Sequence, residues 1–247
     1  MALKTILNYS PNFNPKKRKS KQIKFIIFHY TGMKRELEAI NKLTNIQSEV
    51  SSHYLIKTNG NIITLVPDLY VAWHAGKSSW KSYKSLNQNS IGIEITNPGH
   101  EFGYKKFSKK QISSLLKLSK FLIKKYKINS KNILGHSDIA PQRKKDPGEK
   151  FPWEYLSKNK IGLWHTLKNQ ELTKNRNLKI NKLEEKFFFN NLFKIGYSKK
   201  KRKGTSNDRF LRDVTKAFQR RFRQELVNGK IDRECLLISK NLLKKYD

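Results

Sequence analysis

The chain has 247 residues, of which 36% are hydrophobic, and it carries a formal net charge of +34 at pH 7. This length allows one large domain or a domain with a small accessory one, and the hydrophobic fraction is sufficient for a core. The single cysteine, Cys235, excludes an intramolecular disulfide framework and a multi-cysteine zinc site.

The excess of Lys and Arg is spread over both halves of the chain. Such a spread predicts loose adhesion to polyanions, and charge alone supports a nucleic-acid binder as an alternative function. We expect no specific nucleic-acid partner, because no nucleic-acid recognition motif accompanies the charge. No apolar stretch approaches the roughly 20 residues that span a membrane, so no transmembrane segment is expected. Residues 1–15 contain no secretory signal and no lipoprotein cysteine, which predicts a cytoplasmic protein and is compatible with an envelope-associated role.

The first elements alternate between strand and helix patterns. A run of β-forming apolar residues at 23–28 predicts a buried strand that ends at His29. The spacing of apolar residues predicts a helix over 35–46. Asn59-Gly60 between two β-rich runs predicts a β-hairpin.

The middle of the chain adds a loop, a strand and a helix. Trp73 and His74 lie in a short Gly-ended loop, and residues 90–95 predict a strand that carries Glu94. A carboxylate on a buried strand has a raised pKa and suits a general base or acid, whereas one on a solvated sheet face does not. The sequence alone leaves both interpretations of Glu94 open. Ser108, with a glutamine three residues on, predicts the start of a long helix.

A polar segment at 135–148, with two prolines, follows a short predicted strand and is interpreted as a rigid loop. It presents His136 and Asp146, ten residues apart, and zinc accepts both side-chain types. A catalytic zinc site usually has three protein ligands, so a third ligand is expected elsewhere. His29, at the end of its strand, is the candidate, and a core histidine with both nitrogens satisfied is the alternative.

The composition changes near Lys158. Residues 157–182 are polar and predict a linker or surface segment, whereas 183–247 predict three helices in a module of about 65 residues, a size that folds alone only marginally. The remaining basic side chains receive structural interpretations. Arg220, Arg221 and Arg223 are assigned to a solvated helix face. His53 is expected to pack beside the sheet, and His100 and His165 are expected at the surface.

Several of these segments together carry a family resemblance. They are Phe28-His29-Tyr30-Thr31, Ser52 to Ile56, Ala72 to Gly76, Ile91 to Glu94, Gly135 to Pro141, and Lys144 with Asp146-Pro147-Gly148. In this order they resemble the type 2 N-acetylmuramoyl-L-alanine amidases, in particular the AmpD/AmiD branch. The resemblance covers residues 6–156. A shorter stretch at 214–223 resembles the peptidoglycan-binding three-helix domain of some members.

The resemblance implies an α/β fold with a mixed central sheet flanked by helices, plus a small C-terminal three-helix domain. The corresponding boundaries are 1–160 for the catalytic domain, 161–182 for a linker and 183–247 for a peptidoglycan-binding-like module. That module is expected to aid binding to glycan without being needed for the chemistry. We expect a monomer.

The resemblance also implies a site and a reaction. One zinc ion per chain is expected at His29, His136 and Asp146. Two further residues receive catalytic roles, with Glu94 as the general base and Lys144 as the cation that stabilises the oxyanion.

The loop that carries Trp73 and His74 is expected to line the substrate cleft. The implied reaction is hydrolysis of the amide bond between N-acetylmuramic acid and L-alanine, in polymeric peptidoglycan or in soluble muropeptides. A non-catalytic peptidoglycan-binding protein on the same fold is the alternative.

Overall fold

The computed structural model describes residues 4–246. Its helices are α1 (Glu36–Thr44), α2 (Lys109–Tyr126), α3 (His136–Ile139), α4 (Trp153–Lys158), α5 (Asn169–Asn175), α6 (Lys182–Ile195), α7 (Asn207–Phe222) and α8 (Arg233–Tyr246). Its strands are β1 (Ile6–Leu7), β2 (Phe13–Asn14), β3 (Phe25–Tyr30), β4 (Tyr54–Ile56), β5 (Ile62–Thr64), β6 (Val71–Ala72), β7 (Ser79–Trp80), β8 (Tyr83–Lys84), β9 (Ser90–Ile95) and β10 (Ile133–Gly135). No helix within residues 4–246 is long and apolar enough to cross a membrane.

Six strands form the central sheet in the order β1-β5-β4-β9-β3-β10. The four strands β4, β9, β3 and β10 run parallel to one another, and β5 is antiparallel to β4. The predicted mixed sheet is therefore confirmed. Parallel strands end at the same edge of a sheet, so the residues at the carboxyl ends of these four strands lie together.

Side-chain alternation along β3 separates two hydrophobic cores. Ile26 and Phe28 point to the face covered by α2. Phe25 and Ile27 point to the opposite face and pack in the same core as the C-terminal helices α6, α7 and α8. His29 continues this second series, because successive side chains of a strand point to opposite faces.

Local sequence features account for several element boundaries. The Ser108 hydroxyl accepts the amide hydrogen of Gln111 at 3.2 Å, and the Gln111 side chain accepts that of Ser108 at 2.9 Å, which begins α2 as predicted. The predicted hairpin is formed by β4 and β5. The helix predicted over 35–46 is α1. Its buried face is smaller than the spacing of apolar residues predicted, because Leu37 and Ile46 are 66% and 67% exposed.

The segment 135–148 is not wholly a loop. Its first residues form the single helical turn α3, with the amide of Ala140 bonded to the carbonyl of His136 at 2.9 Å. The interpretation as a loop was therefore wrong for these four residues. The proline at position 141 ends the turn, because proline lacks an amide donor and disfavours helix at the preceding residue.

The three predicted C-terminal helices are α6, α7 and α8. The segment 161–182, predicted as a linker, contains α5 and buries Ile161 and Leu172. The ends of the predicted domains at residues 1–3 and 247 lie outside the described residues.

Three surface assignments from the sequence were wrong. Arg221 and Arg223 are each 1% exposed and are not part of a solvated helix face. His165 is also buried, at 8% exposure. Each arginine has a buried aspartate as partner, which explains why a charged side chain is tolerated inside the fold.

Candidate active site

Three of the predicted site residues are positioned by the parallel strands. His29 lies near the end of β3 and is paired in register with Glu94 on the adjacent β9. His136 follows directly after β10, which is the neighbour of β3 on its other side. The sheet therefore places one carboxyl group and two imidazoles side by side at its carboxyl edge, in the order Glu94, His29 and His136.

Asp146 joins the two histidines to form a compact group. The Nδ1 atoms of His29 and His136 are 2.9 Å apart, and each lies 3.0 Å from Oδ2 of Asp146. All three side chains are buried. Three such atoms around one point are a donor set that zinc accepts. The structure thus brings together the three residues predicted as ligands.

The orientation of His136 is fixed from its other ring nitrogen. Nε2 of His136 lies 3.1 Å from the carbonyl oxygen of Ala75 and 3.2 Å from Nη2 of Arg143. The two hydrogens of that Nη2 are used by the carbonyls of Ala75 and Lys77, at 2.7 and 3.2 Å. Nε2 of His136 therefore donates to Ala75, which leaves the Nδ1 lone pair directed at Asp146 and His29.

The orientation of His29 is fixed by a chain of hydrogen bonds through His74. The Ser90 hydroxyl donates to the Leu86 carbonyl at 2.6 Å, so its oxygen accepts from Nε2 of His74 at 3.1 Å. Nδ1 of His74 then accepts from Nε2 of His29 at 3.0 Å. The Leu86 carbonyl fixes the direction of all three hydrogen bonds, because a carbonyl oxygen can only accept. The chain leaves the Nδ1 lone pair of His29 free to bind a metal.

Gly92 makes room for the His74 ring. A Cβ atom at position 92 would lie 2.4 Å from Cγ of His74, which is closer than real contacts allow. His74 is therefore held deep beneath the site, although it also borders the cleft. This supporting position was not predicted, since the sequence suggested only that His74 lines the cleft.

The electrostatics favour the protonation states that bind a metal. Burial, followed by the charge of His136, lowers the pKa of His29 to about 4. Burial alone would raise the pKa of Asp146, but the charges and hydrogen bonds of His136 and His29 outweigh it and lower that pKa. His29 is therefore neutral and Asp146 ionised at neutral pH, as metal ligands must be.

Glu94 has the opposite perturbation. Burial, followed by the charge of Asp146, raises its pKa to about 8, and the positive charge of Lys144 opposes this rise. Its Oε2 atom is buried and has no hydrogen-bond partner among residues 4–246. Glu94 therefore has the raised pKa expected for a carboxylate on a buried strand, and a carboxyl group with a pKa near neutrality can both accept and donate a proton.

A cleft of about 340 Å³ opens over this group. Trp73, His74, Glu94, Lys144 and Asp146 all line it, so the two catalytic candidates share one cavity with the candidate metal ligands His136 and Asp146. The indole Nε1 of Trp73 donates to Asn14 at 2.7 Å, which fixes the ring at the wall. The cleft is also lined by residues that were not predicted, among them Lys42, Glu101 and Arg143.

Comparisons with known proteins agree with this geometry. Residues 19–149 match the family model described as N-acetylmuramoyl-L-alanine amidase. The chain is 36% identical over 237 residues to the N-acetylmuramoyl-L-alanine amidase AmiD of Escherichia coli, covering 91% of this chain and 84% of that protein.

Two solved structures resemble the fold over nearly the full length. The complex of E. coli AmiD with anhydro-N-acetylmuramic acid-L-Ala-D-γ-Glu-L-Lys matches with a TM-score of 0.79, covering 91% of this chain and 90% of that one. AmpDh3 from Pseudomonas aeruginosa matches at 30% identity and a TM-score of 0.78, with 94% of each chain covered. The chain therefore belongs to the type 2 N-acetylmuramoyl-L-alanine amidase family and is an enzyme of that class.

Proposed function

We propose that the protein is a zinc-dependent amidase that cleaves the bond between N-acetylmuramic acid and L-alanine in peptidoglycan or its anhydro-muropeptide fragments, during wall degradation or recycling. The observation that carries this proposal is the triangle formed by His29, His136 and Asp146. Two of its members, His136 and Asp146, line one cleft together with Glu94. The substrate bound to the related AmiD structure supports the same substrate class.

The donor set fits zinc. Two imidazole nitrogens and one carboxylate oxygen match the composition of a catalytic zinc site, and the three donor atoms lie 2.9–3.0 Å apart. The second nitrogen of each histidine is held by another group, as is usual for metal-bound imidazoles. When bound, zinc supplies Lewis acidity, which polarises the scissile carbonyl and makes water a nucleophile near neutral pH.

Glu94 is positioned to move the proton. Its carboxylate accepts a proton from the attacking water, and the same group, now protonated, gives that proton to the nitrogen of the leaving L-alanine. The C–N bond breaks as the amine leaves, so the proton balance closes within one residue. In the metal-free protein, burial raises the pKa of Glu94, which brings this carboxyl group into the range where it can both accept and donate a proton.

Lys144 supplies a fixed positive charge at the same cavity. Its amide donates to the carbonyl of Ala140 at 3.0 Å, which holds the backbone of this residue against the end of α3. The ammonium group stabilises the negative charge that develops on the carbonyl oxygen during attack. Removal of one such stabilising group typically costs about 10²–10³-fold in turnover.

The C-terminal residues 183–247 are proposed to act as a glycan-binding module. A second binding site on one chain raises retention on a polymer through effective concentration. The net charge of +34 adds an electrostatic component, so retention should be compared at low and high salt.

The test uses intact sacculi and soluble anhydro-muropeptides as separate substrates, with products identified by mass spectrometry. The expected products are free peptide that begins with L-Ala and glycan whose N-acetylmuramic acid units carry a free carboxyl group in place of the peptide. Activity should disappear after removal of zinc by a chelator and return when zinc is added. The variant Glu94→Gln is the matched control for the proton-transfer role, because glutamine keeps the size of the side chain but cannot accept the proton. Cleavage at any other bond, or full activity without metal, would contradict the proposal.

A further inference from the structure

The C-terminal helices contact the turn that carries the proposed ligand His136 through a buried ion pair. Nη1 of Arg221, near the end of α7, lies 2.5 Å from Oδ2 of Asp138 in α3. The exposed fractions of these side chains are 1% and 0%. The hydroxyl of Tyr197, in the connection between α6 and α7, donates to the other oxygen of Asp138 at 2.9 Å. Both oxygens of this carboxylate are thus bound by the helical region.

Asp138 in turn holds the backbone around the ligand His136. Its Oδ2 accepts the amide hydrogen of Gly135 at 2.8 Å, and Gly135 directly precedes His136. Asp138 itself follows His136 by two residues within the same helical turn. A single turn has little stability of its own, because helix nucleation is unfavourable. The position of His136 therefore depends on the group that holds Asp138.

Arg221 also fixes the strand that leads to this turn. Its Nη2 donates to the carbonyl of Ile133 in β10 at 2.9 Å. The guanidinium stacks on the ring of Trp153, with 4.3 Å between its central carbon and the ring centroid. Arg221 thus contacts Ile133, which precedes the proposed ligand His136, and Asp138, which follows it.

The second ligand-bearing segment is connected to the same place. A Cβ atom at Gly135 would lie 2.6 Å from Cδ of Pro147, so the backbone of Gly135 approaches the residue that follows Asp146. The amide of Ser137 donates to the Asp146 carbonyl at 2.8 Å. Displacement of the α3 turn would therefore move both His136 and Asp146.

We propose that Arg221 and Tyr197 are positioning residues of the metal centre, which they stabilise by fixing Asp138. The inference rests on the proposed zinc site. It departs from the expectation that the C-terminal module is not needed for the chemistry, because that module supplies both residues that orient the α3 turn.

The chain offers a matched control for this proposal. Arg223 is equally buried and pairs at 2.5 Å with Asp232, which lies beside α8 within the helical region. Arg223→Met therefore removes a buried arginine–aspartate pair of the same kind without touching α3. Arg221→Met removes the pair that reaches the metal centre. Comparison of the two separates loss of fold stability from loss of positioning.

The experiment measures the zinc dissociation constant of the full-length variants by competition with a chelating indicator, below the unfolding transition of each. Loss of groups that orient metal ligands typically weakens metal affinity by about 10–100-fold. We expect a weakening of at least about tenfold for Arg221→Met and no change for Arg223→Met. Tyr197→Phe, which removes only a hydroxyl, should weaken zinc binding in the same direction and by less.

The possible outcomes are distinguishable. Equal zinc affinities of Arg221→Met and Arg223→Met, with wild-type zinc binding intact, would overturn the positioning role and leave the amidase proposal standing. Absence of zinc from the wild-type protein would overturn both. If Arg221→Met does not fold, Tyr197→Phe decides alone: weaker zinc binding supports the role, and wild-type affinity refutes it.

Discussion

Glu94→Gln is expected to stabilise the metal-free protein in a pH-dependent way. The pKa of Glu94 is raised from 4.5 to about 8, mainly by burial, so the folded state favours the protonated carboxyl. Well below pH 4.5 the Glu94 carboxyl group is protonated in both the folded and the unfolded state, so its ionisation does not affect the free energy of unfolding. As the pH rises towards 8, the unfolded state ionises first and the folded wild-type protein loses stability.

The size of the effect follows from the shift. One pKa unit corresponds to about 1.36 kcal/mol, so a shift from 4.5 to about 8 corresponds to an upper bound of about 5 kcal/mol of unfolding free energy. Glutamine does not ionise and avoids this cost. Any fixed difference caused by amide packing is independent of pH, so the diagnostic quantity is the change in stability difference between pH 5 and pH 8.5.

The assay is urea unfolding of metal-free wild type and Glu94→Gln at both pH values. Glu101→Gln is the matched control, because Glu101 borders the same cleft but is exposed to solvent. The advantage of Glu94→Gln should grow with pH and should shrink when zinc is present, since a nearby dication stabilises the carboxylate. A stability difference that is the same at both pH values would refute the buried-carboxyl argument.

Three further outcomes are expected. His136→Ala should reduce bound zinc to well below one ion per chain by metal analysis, because one of three ligands is lost. Lys144→Ala should keep its zinc and lose about 10²–10³-fold in turnover on anhydro-muropeptide. Gly92→Ala should be destabilised by about 1–3 kcal/mol in thermal unfolding and should bind zinc less tightly, since its Cβ would displace the His74 ring.

The sequence predicted those features that depend on short-range patterns. The buried strand that carries His29 and the cap at Ser108 are visible within a few residues, and both occur in the structure, where the strand ends one residue after His29. The likeness to a family then suggested which polar residues meet. Their proximity could be anticipated because parallel strands end at one edge of the sheet.

The parts that could not be predicted depend on contacts between distant segments. Arg221 and Asp138 are 83 residues apart, and a basic residue on a helix is normally exposed. A usable indication was present, because Arg221 lies seven residues after Val214 and three after Phe218, on the buried stripe of α7. The role of His74 was hidden for a different reason, since it depends on a missing side chain at Gly92.

One face of the central sheet carries both core residues and the site residue His29. The packing of the helical region and the geometry of the site are therefore connected. Phe25 and Ile27 pack against the C-terminal helices, and His29 is the next side chain on that face. Helices that cover the first two positions therefore end beside the third, where Arg221 can reach Asp138. An extra module docked on the opposite face would not have had this access. The positioning role that we propose for Arg221 therefore follows from where the helical region packs on the fold.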